Sequence, residues 1–196
     1  MSFLTLGFFT GLSLILVLGA QNIFVIEQGL KKQYVFLVCL ICSISDLFLI
    51  FVGIFLFHYF SQFFNSTIEL IFNILLLIFL FYFIYTKIKN FNKNIKNISA
   101  ISIFLKTLGF TYLNPHVYSD TVFFLGNFSK NFSMIQKINF GIGASIASFL
   151  FFFTIGYLST FLSKYLISEK IWKIINFFII IFMSLLSIYI FADIFY

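Results

Sequence analysis

The sequence predicts an all-α integral membrane protein of about six transmembrane helices arranged as a 3+3 inverted repeat. Three observations carry that prediction. Of the 196 residues, 62% are hydrophobic and only 9% charged, with a mean hydropathy of +1.11; a water-soluble domain of this size cannot hide so much apolar surface. The apolar residues fall in stretches long enough to cross a hydrocarbon core of about 30 Å, which takes about 20 residues of helix. The cationic side chains, all twelve of them lysine, gather between those stretches and near their ends, where they suit anionic headgroups better than nucleic acid.

Spans are expected near residues 3–26, 34–60, 67–86, 104–128, 138–162 and 172–189. No basic segment precedes the first, and it is too long for a signal-peptide core, so it reads as an uncleaved span. It carries Gly19-Ala20-Gln21-Asn22, where Gly19 permits an irregular turn and the two amides offer donors and acceptors, either to a neighbouring helix or to a ligand. The second span holds Asp46 about 12 residues in, which at 1.5 Å per residue puts it near the bilayer midplane. A carboxylate there costs several kcal/mol unless paired, protonated or hydrated. No lysine lies at comparable depth, so a cation or proton site is favoured over a protonated Asp46 bonded to Ser43 or a backbone carbonyl.

Cys39, Cys42, Ser43, Asp46 and Gly53 form a stripe of small or polar residues on the second span, and Gly141, Ser145, Ser148 and Gly156 form one on the fifth. Such stripes let backbones approach closely, so the two are expected to face each other and turn Asp46 inward. The CxxC spacing of Cys39 and Cys42 lies mid-span and reads as packing rather than redox chemistry. The third span leads into a Lys/Asn-rich run at 87–102, which divides the chain into two halves of three spans.

The fourth span is interrupted. In Leu113-Asn114-Pro115-His116-Val117-Tyr118-Ser119-Asp120, six side chains are polar or helix-breaking. Pro115 removes a backbone donor and frees the carbonyl four residues earlier, so unwound backbone near 111–114 is expected to face a cavity between helices together with Asp120. Asp120, Asn114 and Pro115 are therefore candidate site residues, the alternative being a simple proline kink with Asp120 near the outer interface; His116 either relays protons, contacts substrate or is a satisfied buried histidine. Glu27, His58, Glu69, Glu169 and Asp193 fall at span ends or in loops, where headgroup solvation accounts for them, and they are assigned no role.

Ten lysines fall in the first, third and fifth loops, against only Lys130 and Lys137 on the opposite side. The positive-inside rule then places the odd loops in the cytoplasm and both termini outside. Two tandem three-span units have opposite orientations, so homologous halves make an inverted repeat. At one offset Ser45 aligns with Ser148, Gly53 with Gly156 and Asn73 with Asn176, while Ala20 falls opposite Pro115 after a small length adjustment. The chain thus reads as a single transporter domain, 1–196, with repeat 1 at about 1–86, a cytoplasmic loop at 87–102 and repeat 2 at about 103–196.

Two blocks, GAQNIFVIEQGLKKQYVFLVCLICSISDLFLIFVGIF at 19–55 and GFTYLNPHVYSDTVFFLG at 109–126, closely resemble the lysine/arginine exporter family (LysE/ArgO) of the LysE superfamily. The family patterns NPHVYLDT and QGLRRQ read here NPHVYSDT and QGLKKQ. The resemblance implies a multi-pass carrier of the bacterial inner membrane that expels basic amino acids in exchange for protons, with Asp46, Asn114, Pro115, His116, Tyr118 and Asp120 at matching positions. Ala20 stands where the family usually has proline, which predicts a less strongly broken first helix; Ser119 replaces the usual leucine.

Exporting a monovalent cation against an inside-negative potential costs about 2.3 kcal/mol per 100 mV, and no nucleotide-binding loop is present to supply it. The chain is therefore read as a secondary transporter and not an enzyme. Its site residues are Asp46, Asp120, Asn114, Pro115, His116, Tyr118, Gln21 and Asn22. Its partners are a basic amino acid, protons and the bilayer, with no cofactor and no nucleic acid, and with a homodimer left open. Export of neutral amino acids or of a divalent metal is the alternative, although hard cations prefer more oxygen ligands than two carboxylates supply. An intramembrane aspartyl protease and a noncatalytic scaffold rank below.

Overall fold

The computed structural model describes residues 2–16, 19–63, 66–89, 99–165 and 169–195. The described residues are helical apart from short turns. In order they form α1 (Phe3–Ile15), α2 (Ala20–Lys31), α3 (Val35–Phe63), α4 (Ser66–Lys89), α5 (Ala100–Tyr112), α6 (Pro115–Tyr118), a π-helical segment (Ser119–Phe124), α7 (Leu125–Ser129), α8 (Met134–Leu162) and α9 (Glu169–Phe195). A short 3-10 turn, Ser163–Tyr165, extends α8. Most of the Lys/Asn-rich run, 90–98, lies outside the described residues, as do the side chains of His58, Glu69, Glu169 and Asp193.

Local chemistry sets the ends. Ser2 caps α1 by accepting from the Thr5 N–H, Ser99 caps α5 by accepting from Ser102, and Ser133 with Gln136 forms a capping box on α8. At the end of α2, Lys32 adopts a left-handed φ of 55° while the Gln33 N–H returns to the Gln28 carbonyl, a Schellman closure that turns the chain into α3.

Among the described residues, four helices are long and apolar enough to cross a membrane, or five if the bent pair α1 and α2 counts as one span. The sequence expectation was six, and the difference has a physical cause. The expected span 104–128 is cut at Asn114-Pro115, which leaves the 13-residue α5 and a shorter-stepped run of α6, π-helical segment and α7 in place of one continuous helix. The expected span 3–26 is cut as well, with α1 and α2 meeting at 83°. Ala20, not proline, opens α2 at that break.

The same order of pieces occurs twice: a broken helix, a 29-residue helix (α3, α8), and a long helix (α4, α9). The broken helix of each half packs on the 29-residue helix of the other, α1 and α2 on α8, and α5, the π-helical segment and α7 on α3, while α4 packs against α9. Glycines permit the closest approaches. A Cβ added at Gly29 would lie 2.5 Å from the Gly156 carbonyl oxygen, and one at Gly126 would lie 2.7 Å from that of Gly53. Gly7 and Gly11 likewise seat α1 against the backbone of Phe140 and Ala144.

The small-residue stripes therefore meet only in part. Gly156 lies against Cys39, and Ser148 bonds Asp46, whereas Gly53 faces the π-helical segment and α7 rather than α8. Cys39 and Cys42 are buried free thiols, with the Cys39 thiol donating to the Phe152 carbonyl at 3.2 Å. The main apolar core gathers Phe24, Leu80, Phe83, Phe110, Phe152 and Met183 from five elements.

Candidate functional site

Two helix breaks face one another in the bundle. At the first, α1 ends near Ile15 and α2 begins after Gly19, whose extended backbone (φ −115°, ψ 177°) brings no capping side chain. The Asn22 amide donates to the Ile15 carbonyl at 3.0 Å and so ties the end of α1 to the start of α2. At the second, Asn114 Oδ1 accepts from the His116 N–H at 3.1 Å, Pro115 occupies the first helical position, and the Tyr118 hydroxyl donates to the Tyr112 carbonyl at 2.9 Å. The carbonyls of Ile15 and Tyr112 are thus taken up by side chains.

Beyond the second break the helix widens into a π turn, in which the Leu125 N–H reaches the Asp120 carbonyl. A π turn takes up an additional residue and is frequent at functional sites. Gly29 lies nine positions after Ala20, whereas Gly126 lies eleven after Pro115, and the π turn falls within that longer stretch.

The breaks, α3 and α8 enclose a cavity of about 290 Å³. This is the small end of the range for small-molecule sites, about 300–1,000 Å³, and suits a solute of amino-acid size. Asp46, Asp120, Asn114, His116, Gln21 and Asn22 all line it. Asp46 is only 4% exposed and accepts from the Ser148 hydroxyl on α8 at 2.8 Å; it does not bond Ser43, whose buried hydroxyl has no partner. Asp120 is half-buried, and Thr121 beside it donates to the Val117 carbonyl. His116 is exposed to the cavity rather than buried in packing, with its ring 6.4 Å from that of Tyr189. Gln21 is buried beside Cys42, and its Nε2 has no acceptor.

Pro115 and Tyr118 stand apart from the other candidates. Pro115 is buried at the start of α6, and Tyr118 packs its ring 5.2 Å from Phe72; both shape the break without lining the cavity. Apolar walls come from Leu14, Ile50, Leu125 and Leu186. Chemically the chamber offers two carboxylates, the N-terminal end of a 12-residue helix and several amides. That set matches a solute bearing both cationic and anionic groups. Among the described residues no three His, Cys, Asp or Glu side chains gather as a metal site requires.

One sequence reading is overturned here. Glu27, assigned to a solvated span end, is 2% exposed and accepts from both Lys31 and Lys87, the latter at 2.7 Å. Lys87 reaches it from α4, a pairing across 60 positions that spacing cannot reveal.

The sequence profile of the LysE type translocator family matches residues 12–193. The chain is 35% identical over 183 residues to the arginine exporter protein ArgO of Pectobacterium atrosepticum, covering 88% of each protein. It is 34% identical over 186 residues to ArgO of Klebsiella pneumoniae, covering 87% of this chain and 84% of that one. The ArgO of Salmonella typhimurium is similar at 33% over the same extents. No solved structure matches.

Proposed function

The chain belongs to the LysE type translocator family, and from that premise we propose that it exports lysine or arginine across the bacterial inner membrane in exchange for protons. The observation that carries the reading is the pairing of Asp46 and Asp120 around one cavity beside the start of α2. A basic amino acid has two cationic groups and one carboxylate. Two aspartates answer the cations, and the N-terminal amides of α2, with Gln21 and Asn22, answer the carboxylate. A neutral amino acid would leave one carboxylate without a partner, which favours basic substrates. The ArgO names of the relatives agree with arginine.

The transport cycle follows from electrostatics. Two carboxylates in a low-dielectric chamber are stable when balanced by a substrate or by protons, and costly when bare. With the chamber open to the cytoplasm they take the amino acid; with it open to the outside they release it and return protonated. Asn114 and His116 complete the polar wall, and Pro115 and Tyr118 hold the second break in shape. The duplicated order of broken and long helices supports a 3+3 inverted repeat, with the pairs α1–α2 and α5–α7 each counted as one span, giving six. Rocking of one half against the other would then switch access, with the lysine-rich loops on the cytoplasmic side.

The test is release from living cells. Cells loaded with arginine- or lysine-containing dipeptides should release the free basic amino acid only when they carry the protein, and a protonophore should stop net export. Release of neutral amino acids alone, or release indifferent to the protonophore, would overturn the proposal.

A further inference from the structure

Below the cavity, toward the lysine-rich end, three helices repeat one arrangement: an aromatic ring, then a charged residue one turn further out. On α2 the pair is Phe24 and Glu27, on α4 Phe83 and Lys87, on α5 Phe110 and Lys106. The rings of Phe24, Phe83 and Phe110 close on one another, with centroids 4.8, 5.1 and 6.3 Å apart. All three are buried, so the cavity has no passage through them. Behind the rings Glu27 Oε1 accepts from Lys31 and Lys87, and Lys87 also donates to Asn176 Oδ1 at 3.2 Å, which fastens α2 to α4 and α9. The second carboxylate oxygen of Glu27 is buried with no hydrogen-bond partner, and so is the side-chain oxygen of Gln28, the next residue.

We propose that Glu27 is the first binding site for the cationic side chain on its way to the cavity, and that Lys87 and Lys31 are the groups the substrate displaces there. The inference rests on the export reading. An orphaned buried carboxylate oxygen is costly, and the two lysines leave it unfilled because both crowd onto Oε1. A guanidinium has paired donors and satisfies both oxygens at once; an ammonium satisfies one. Displacing Lys87 also releases Asn176 and so frees α4 and α9 from α2, which lets the aromatic layer part. Gln21, Phe24 and Glu27 or Gln28 recur at three- and four-residue steps along one face of α2, so the same helix face leads from the first site to the chamber. A cation opens this latch by competing for its acceptor; a neutral solute has nothing to compete with, so Glu27 acts as a specificity-determining residue.

The experiment is two-sided. Protein reconstituted into liposomes is assayed for labelled arginine transport with the substrate presented at the lysine-rich face or at the opposite face. Glu27→Gln should raise the half-saturating concentration at the lysine-rich face about tenfold or more and leave the opposite face within about twofold of wild type. Lys87→Met should lower it at the lysine-rich face. The double variant should stay as weak as Glu27→Gln, because the acceptor is gone; a purely structural ion pair would instead be rescued when both charges are removed. Equal shifts at both faces, or rescue in the double variant, would overturn the latch while leaving export intact. A wild-type protein that carries no basic amino acid from either face would overturn both.

Discussion

The two helix breaks occupy matching places in the two halves of the chain, yet they solve the exposed-backbone problem in opposite ways. At Asn114-Pro115 the chain satisfies itself: Asn114 caps its own helix, proline removes a donor, and Tyr118 takes the Tyr112 carbonyl. What that break presents to the cavity is an acid, Asp120, near the start of the π-helical segment. At Gly19-Ala20 no side chain caps the helix, and Asn22 reaches back to close the end of α1 instead. What that break presents is the electropositive end of α2. One break donates and the other accepts, and a solute with ends of opposite charge needs both.

The sharpest way to break this contrast is to remove the acid from the second break. Asp120→Asn should lower the rate of arginine export by about 100-fold, in line with loss of one member of a buried charged pair, while membrane levels of the protein stay normal. Export within about threefold of wild type, measured as label lost from preloaded liposomes, would make the second break a structural kink.

Making the first break resemble the second gives a finer test. A side chain at Gly19 has room, since a Cβ there meets nothing within 4 Å. Gly19→Asn should therefore cap α2 and raise stability by a few tenths of a kcal/mol, seen as a higher Tm in detergent. The same cap competes with the substrate carboxylate and should weaken arginine binding by about fivefold. A variant both more stable and equally tight would detach the start of α2 from substrate.

The smallest effect concerns the proline. Ala20 occupies the first position of α2 without proline, and the break there is still 83°. Pro115→Ala should likewise keep the second break, held by Asn114 and Tyr118, and cost less than about 1 kcal/mol in stability. Loss of folding in that variant would show that the second break depends on its proline and not on Asn114 and Tyr118.

These comparisons also mark what the sequence discloses. Composition and hydropathy reach the membrane-spanning all-α class directly, because the bilayer sets the length and polarity of every span. The Asn-Pro pair declares its own break, since proline acts through local covalent geometry. Asp46 is legible by depth alone, and Ser148 opposite it by the small-residue stripe. Other features depend on distant contacts. The break before Ala20 lacks a proline to announce it, and the π turn around Asp120 appears only when helix register is known. Gly7, Gly11, Gly29 and Gly126 read as ordinary residues until the backbones they admit are in place. Glu27 is the plainest case: its position near the end of α2 suggests solvent, and only the fold brings Lys87 to bury and pair it.

In the proposed cycle, carboxylates held in the chamber bind a basic amino acid and a proton by turns. Liposomes containing purified protein separate this from other roles for the acids, by following labelled arginine driven by an imposed pH gradient in wild type and in Asp46→Asn. Arginine should accumulate against its gradient in the wild type, with matching proton movement, and neither should occur in the variant. Gradient-driven accumulation at wild-type rates in Asp46→Asn would contradict that cycle.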